Sequence, residues 1–310
     1  MSGAPSAERA TSASVAQGAA EGKGKLGLLL PGGAVKGAYQ AGAIAALAEA
    51  GLEFDVVVGT SVGAVNGVAF LLDYGPRLMT MWSEHLRDLC WFDRGRILKG
   101  RSPFMISESM RALVERYGDV SRLTAHPTEM VFSVTDWETR ENVLFSSHDG
   151  VDWSDAERVD QFLASLTIPL VCSDKIVLRG RRYCDGGLSN NYPLEALLER
   201  GCRRIVVIDP SPSAGETGGS SWLDRIISTL EWAPVRSLSL FAGLCRAQER
   251  RLDGLPEGVR LWLLDAPADG EVNALDFKDL ETVERLLALG LEEGRRFAAE
   301  LKTTLCEGEP

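Results

Sequence analysis

Val56-Val57-Val58-Gly59-Thr60-Ser61-Val62-Gly63-Ala64-Val65 reads as a buried strand, a very tight turn and the start of a helix. A β-branched run of this kind suits a strand covered on both faces. It stops at a glycine, and small helix-compatible residues take over after Gly63. Gly-x-Ser-x-Gly at such a junction is the pattern of a nucleophile elbow. The turn forces the serine into a strained backbone region, and only neighbours without side chains let strand and helix approach so closely. Ser61 then stands at a helix N-terminus, where free N–H groups and the helix dipole favour developing negative charge. The same five residues also occur in ordinary turns; the strand before and the helix after give them weight.

Upstream, Leu26–Leu30 is a short apolar strand, followed by Pro31-Gly32-Gly33-Ala34-Val35-Lys36-Gly37. Ala38–Ala50 suits a helix packed closely on a sheet, with Gly51 as its C-terminal cap. Consecutive glycines between a strand and a helix let backbone N–H groups face one way and form an anion nest. No Gly-Lys-Ser/Thr follows, so this is no phosphate loop, and the GxGxxG of a dinucleotide site is missing. An oxyanion hole fits better, since acyl transfer needs preorganised donors worth about 2.7–4 kcal/mol each where the tetrahedral oxygen sits. The plainer reading is a glycine turn carrying a surface lysine. Residues 1–24 are rich in Ala, Ser, Gly and Thr with almost no large apolar side chain, the composition of a disordered leader.

Downstream, Ala64–Leu72 is the helix after the elbow, and residues 76–125 are less regular. Met130–Thr135 and Asn142–Ser146 read as an antiparallel pair, Asp155–Ser165 as a helix that Ile168-Pro169 ends. Lys175–Leu178 and Arg181–Cys184 form a hairpin across Arg179-Gly180 and deliver Asp185-Gly186-Gly187. A helix (Leu194–Arg200) and a buried strand (Arg204–Asp209) follow, then a Pro/Ser/Gly loop over 210–221. Trp222, Leu223, Ile226, Ile227, Leu230 and Trp232 fall mostly on one helical face, which reads as core packing, or as a lid or membrane-contacting helix. Arg260–Leu264 is a last strand and Asp279–Leu301 a long amphipathic helix.

Across its 310 residues the chain is 45% apolar and 25% charged, an ordinary globular composition with ample core. Its net charge of −11 argues against a nucleic-acid partner, which wants a basic face. Against that sign, residues 91–106 hold Arg94, Arg96, Lys99 and Arg101 among Trp91, Phe92 and Phe104. That segment reads either as a solvated loop with core anchors or as a peripheral membrane contact, with cations on headgroups and rings at the boundary. Cys90, Cys172, Cys184, Cys202, Cys245 and Cys306 show no CxxC and no metal spacing, so no metal site is expected and reduced thiols are. No apolar run reaches the ~20 residues of a membrane span, and no signal-peptide pattern opens the chain. The expectation is a cytoplasmic protein, with or without peripheral membrane contact.

A serine nucleophile needs a base, and histidine is the usual one. Only His85, His126 and His148 exist, and none follows Asp185, so the serine–acid–histidine order is unavailable with that acid. The remaining candidate is Asp185, held at a strand end by a glycine turn. In water its pKa of ~3.9 makes it a poor base; desolvation beside Ser61 raises that value toward the task.

Together, the loop Gly32, Gly33, Lys36, Gly37 with Ala38-Tyr39-Gln40-Ala41-Gly42, the elbow Gly59-Thr60-Ser61-Val62-Gly63, and Asp185-Gly186-Gly187 with Asn190, Tyr192 and Pro193 resemble the patatin-like phospholipase family over about residues 25–210. The resemblance implies a three-layer α/β/α sandwich with a mostly parallel central sheet, forming one domain over 25–305 with a helical C-terminal part from 211. It implies a Ser61–Asp185 dyad, an oxyanion hole at Gly32, Gly33, Ala34 and Lys36, and no metal or organic cofactor. The implied activity is hydrolysis of acyl esters of phospholipids or other glycerolipids. An acyltransferase or general esterase on the same dyad is the alternative, then a non-catalytic lipid-binding protein. Oligomeric state is not legible. The family often has a third consecutive glycine where this chain has Ala34, and alanine serves there unless the position needs positive φ.

Overall fold

Two parallel strands, β1 (Lys25–Leu30) and β2 (Val56–Thr60), form the centre of the sheet, with Gly27 opposite Val56 and Leu30 opposite Gly59. The computed structural model describes residues 24–74, 77–85, 95–96, 105, 108–109, 111–112, 120–169, 175–210, 255–267 and 279–306. Helix α1 (Gly37–Glu49) follows β1, and α2 (Val62–Ala69) follows β2. Beyond α2 the expected helix widens into a π-helical turn over Phe70–Tyr74. Next come β3 (Glu129–Asp136), β4 (Asn142–Ser146), α3 (Asp155–Ala164), β5 (Ile176–Leu178) and β6 (Arg181–Asp185). The chain continues through α4 (Leu194–Glu199), β7 (Cys202–Asp209), β8 (Arg260–Asp265) and α5 (Leu280–Cys306).

The eight strands form one sheet in the order β5-β6-β3-β2-β1-β7-β8, with β4 also on β3. Neighbours from β3 through β8 are parallel, while β4, β6 and β5 pair antiparallel. Along each central strand the side chains alternate between two cores, as strand geometry requires. Leu28, Leu30, Val57, Phe132, Val206 and Ile208 face the larger core with α1, α2, α3 and α5. Leu29, Val56, Val58, Val131, Ile205 and Val207 face the smaller one with α4. The result is the expected α/β/α layering around a mostly parallel sheet. Burial on both faces explains why these strands read as unbroken Val/Ile/Leu runs.

The register around β3 positions everything that follows. Val131, Phe132 and Ser133 pair with β2 on one side and β4 on the other, so β2 and β4 lie on opposite edges. Val134 pairs with Val143 of β4 and with Asp185 of β6, so β6 shares the β2 edge. β2 and β6 therefore meet head-on along one edge of β3, Thr60 opposite Ser133 and Asp185 opposite Val134.

Helix α3 starts at a capping box in which Ser154 and Glu157 exchange hydrogen bonds. Among the described residues no helix is long and apolar enough to cross a membrane, and Cys184, Cys202 and Cys306 are free thiols. Residues 1–23 of the expected 1–24 leader, 211–221 of the expected 210–221 loop and the expected Trp222–Trp232 helix lie outside the described residues. Of the basic-aromatic segment only Gly95, Arg96 and Met105 are described, and there Arg96 pairs with Glu108 at 2.6 Å.

Candidate active site

The turn after β2 holds Ser61 at φ 53° and ψ −126°, a conformation side-chain-bearing residues avoid, and makes it the N-cap of α2. A Cβ at Gly59 would come within 2.6 Å of Ala64 Cα, and one at Gly63 would overlap the Leu30 carbonyl. Both motif glycines are there so that helix α2 can start directly on the sheet. The strained serine is tethered from below. Its N–H donates to Ser165 Oγ at 3.1 Å, and the Ser165 hydroxyl donates to the Ser133 carbonyl at 2.9 Å.

Asp185 ends β6 and is fully buried. Its Oδ1 accepts the Gly187 N–H at 2.8 Å, while Oδ2 is buried without a formed hydrogen bond. Burial pushes the Asp185 carboxyl up to about 7, against the opposing pull of the Ser61 hydroxyl and the Gly187 N–H. The serine hydroxyl is thus near enough to act on the carboxyl but not aligned on Oδ2, a looseness common before substrate binds. The sheet brings together the two side chains singled out in the sequence, 124 positions apart, by ending β2 and β6 on successive residues of β3.

Gly186 lies against the Ser133 backbone, where a Cβ would overlap the carbonyl, and Gly187 supplies the N–H that orients Asp185. Gly37 rests against the Val62 side chain, and Gly33 against Pro210.

The loop after β1 departs from the sequence expectation in detail. Gly32 N–H donates to Asn191 Oδ1 at 2.8 Å, so it is already engaged. Lys36 is buried, and its N–H closes a 3-10 turn on the Gly33 carbonyl at 3.2 Å. In the loop the N–H groups of Gly33, Ala34 and Val35 have no acceptor among the described residues; the first two follow directly on the engaged Gly32. Ala34 has φ 52°, the left-handed conformation that a third glycine would adopt without strain. Val62, the first residue of α2, adds an N–H at a helix N-terminus immediately after Ser61.

His126 and His148 stand apart from this cluster. His126 Nδ1 accepts the Thr128 N–H at 3.0 Å, and His148 Nε2 lies 3.0 Å from the His126 carbonyl. Both sit at the start of β3, whereas Ser61 lies beyond its Ser133 rung. The His85 side chain is outside the described residues.

Three residues at the site were not legible beforehand: Ser165, Val62 and Asn191. Asn190, which the motif carries, is turned to the next helix, accepting the Tyr192 N–H at 3.0 Å and donating to Glu195 at 2.6 Å. Its neighbour Asn191 is the one that reaches the glycine loop. Two adjacent asparagines differ here only in burial, which a sequence does not display.

The patatin-like phospholipase family model matches residues 28–198. The chain is similar to the lysophospholipase NTE1 of Kluyveromyces lactis, 26% identical over an alignment of 206 positions that covers 59% of this chain and 12% of that protein. Against the lysophospholipase NTE1 of Mycosarcoma maydis it is 28% identical, over 64% of this chain and 11% of the relative. Against the neuropathy target esterase sws of Drosophila melanogaster it is 27% identical, over 59% and 13%. The matched region spans about one eighth of the length of these curated relatives. Among solved structures it is similar to VipD from Legionella pneumophila, with a TM-score of 0.42 and 16% identity, covering 89% of this chain and 67% of that one. The match to the family model extends over more than half of the sequence and encloses the glycine loop, the elbow and the Asp-Gly-Gly turn; the chain belongs to the patatin-like phospholipase family.

Proposed function

We propose that the chain hydrolyses carboxylic esters of phospholipids, single-chain lysophospholipids first among them, through an acyl-enzyme on Ser61 with Asp185 as base. The observation that carries this reading is the buried Asp185 carboxyl, raised to about 7, beside a strained serine at a helix N-terminus. A base with a pKa near the working pH is about half ionised there and still basic enough to take a hydroxyl proton in the transition state. The substrate class rests on the names of the relatives, lysophospholipases and an esterase.

In the first step Asp185 takes the Ser61 proton as Oγ attacks the ester carbonyl carbon. The carbonyl oxygen becomes an oxyanion, held by the N–H groups of Gly33 and Ala34 and by the Val62 end of α2. Collapse expels the alcohol, which leaves with the proton from Asp185. Water then attacks the acyl-enzyme, gives a proton to Asp185, and releases the fatty acid as that proton returns to Ser61.

The test is fatty-acid release from a panel of lysophosphatidylcholine, phosphatidylcholine and monoacylglycerol by wild type and Ser61→Ala. Release from the lysophospholipid that disappears in Ser61→Ala supports the reading. Release that persists without Ser61 removes the serine from the mechanism. Acyl transfer to an added alcohol in place of release makes the chain a transferase.

A further inference from the structure

We infer that Asn191 is a positioning residue for the oxyanion loop, clamping it at Gly32 so that the next two residues keep their N–H groups free for substrate. The inference rests on the proposed acyl transfer and goes beyond it by assigning the loop's shape to one side chain.

Asn191 is buried and six positions after Asp185. Both polar ends of its amide are spent on one residue far away in sequence: Oδ1 accepts the Gly32 N–H at 2.8 Å, and Nδ2 donates to the Gly32 carbonyl at 3.2 Å. A residue that exchanges both hydrogen bonds with one partner reproduces a rung of an antiparallel ladder, here made by a side chain. Gly32 has no freedom beneath this clamp. A Cβ there would stand 2.9 Å from Asn191 Oδ1 and 2.9 Å from Ser61 Cβ, so Gly32 is wedged between the amide and the serine.

The consequence falls on the two residues that follow. Gly33 has φ −170° and ψ 10°, and Ala34 is then turned to φ 52°. An alanine does not hold that conformation by preference, so the surroundings must impose it. The constraints lie on either side: the Asn191 clamp on Gly32 before it, and the 3-10 turn from Lys36 N–H to the Gly33 carbonyl after it. Freed from the clamp, Ala34 relaxes toward negative φ, and the loop loses the shape that leaves the Gly33 and Ala34 N–H groups unpaired.

The clamp also ties the two halves of the site together. Asp185 and Asn191 are joined by a tight turn, in which Ser189 and Asn190 N–H groups both bond to the Gly186 carbonyl, at 3.0 and 2.8 Å. One short segment therefore sets both the carboxylate and the loop of donors. A buried amide kept only for stability would have no such consequence for rate, and the two roles separate experimentally.

The experiment compares wild type, Asn191→Ala, Asn191→Asp, Ala34→Gly and the Asn191→Ala/Ala34→Gly double variant on a soluble p-nitrophenyl ester. Active sites are counted by labelling Ser61 with a fluorophosphonate. Asn191→Ala is expected to lower kcat per labelled site by about 10²-fold, the scale of losing an oxyanion donor, with KM changed less than about threefold. Ala34→Gly is expected to restore part of that loss, at least about fivefold, because glycine adopts positive φ without a clamp. That recovery should exceed its effect in wild type. A purely structural role would lower the melting temperature and the labelled fraction but leave kcat per site and show no rescue. Should Asn191→Ala fail to fold, Asn191→Asp keeps the shape and the acceptor for Gly32 N–H while losing the donor, and is expected to lose at least about tenfold in kcat. A folded Asn191 variant within threefold of wild-type kcat per site overturns the inference while leaving the proposed chemistry standing. A wild type that neither labels nor turns over overturns the proposed chemistry, and the inference falls with it.

Discussion

Thr60 and Asp185 occupy consecutive rungs on one edge of β3, Thr60 opposite Ser133 and Asp185 opposite Val134. Two strands running toward each other thus end on adjacent residues of a third, and the gap between them is where Ser61 turns out of the sheet. The separation of serine and carboxyl is set by main-chain pairing, which deforms less than a loop does. Ser133 is the fulcrum. Its carbonyl accepts the Ser165 hydroxyl, which in turn accepts the Ser61 N–H, and its backbone touches Gly186.

Gly186→Ala tests that arrangement. The new methyl overlaps the Ser133 carbonyl, so β6 must shift on β3 and carry Asp185 with it. The expected outcome is a destabilisation of about 1–3 kcal/mol, as for overpacking, with ester turnover down by at least about 10²-fold. Thermal melting and turnover of one folded preparation check both parts.

The pH dependence follows from burial. Asp185 works as a base only when ionised, and burial raises its pKa to about 7. On a non-ionising ester, kcat/KM should therefore rise with pH, inflect near 7 and level off above it. A profile that is flat from pH 5 to 8 would mean that the titration of this carboxyl does not limit the reaction.

The same shift has a cost in stability. The folded pKa of about 7 lies above the ordinary 3.8, so the native state holds its proton more tightly than the unfolded chain. Stability attributable to this group is fully present below the unfolded value and is lost as pH rises toward 7. Asp185→Asn removes the charge without removing the shape. It should melt higher than wild type at pH 8, by about 2–4 °C for each kcal/mol regained, and the two curves should converge near pH 4. Calorimetry at both pH values reads the difference.

How much of this was legible in the sequence depends on the range of the interaction. Local signals worked. The β-branched run into Gly59 marked β2, the two short apolar runs at 130–135 and 142–146 marked the β3–β4 pair, and Asp185 was placed at a strand end, where β6 does finish. Boundaries moved by a residue or a few: α1 runs over Gly37–Glu49, and α5 continues to Cys306. What the sequence hid was long-range or conformational. Nothing in Asn190-Asn191 says which amide crosses to Gly32, 159 positions away. Nothing in Gly32-Gly33-Ala34 says that the first N–H is consumed and that the alanine takes the left-handed turn. Those facts arise from the packing of one turn against another, where burial and not residue type decides the partner.

The most direct test of the central claim is a double-mutant cycle on the dyad. Turnover of a soluble ester and the rate of fluorophosphonate labelling are measured for wild type, Ser61→Ala, Asp185→Asn and the double variant, all with folding verified by circular dichroism. If serine and carboxyl act as one unit, each single change costs at least about 10³-fold and the double variant is no worse than the worse single. Asp185→Asn should also label far more slowly than wild type. Losses that multiply in the double variant, or an Asp185→Asn protein that labels as fast as wild type, would contradict the dyad.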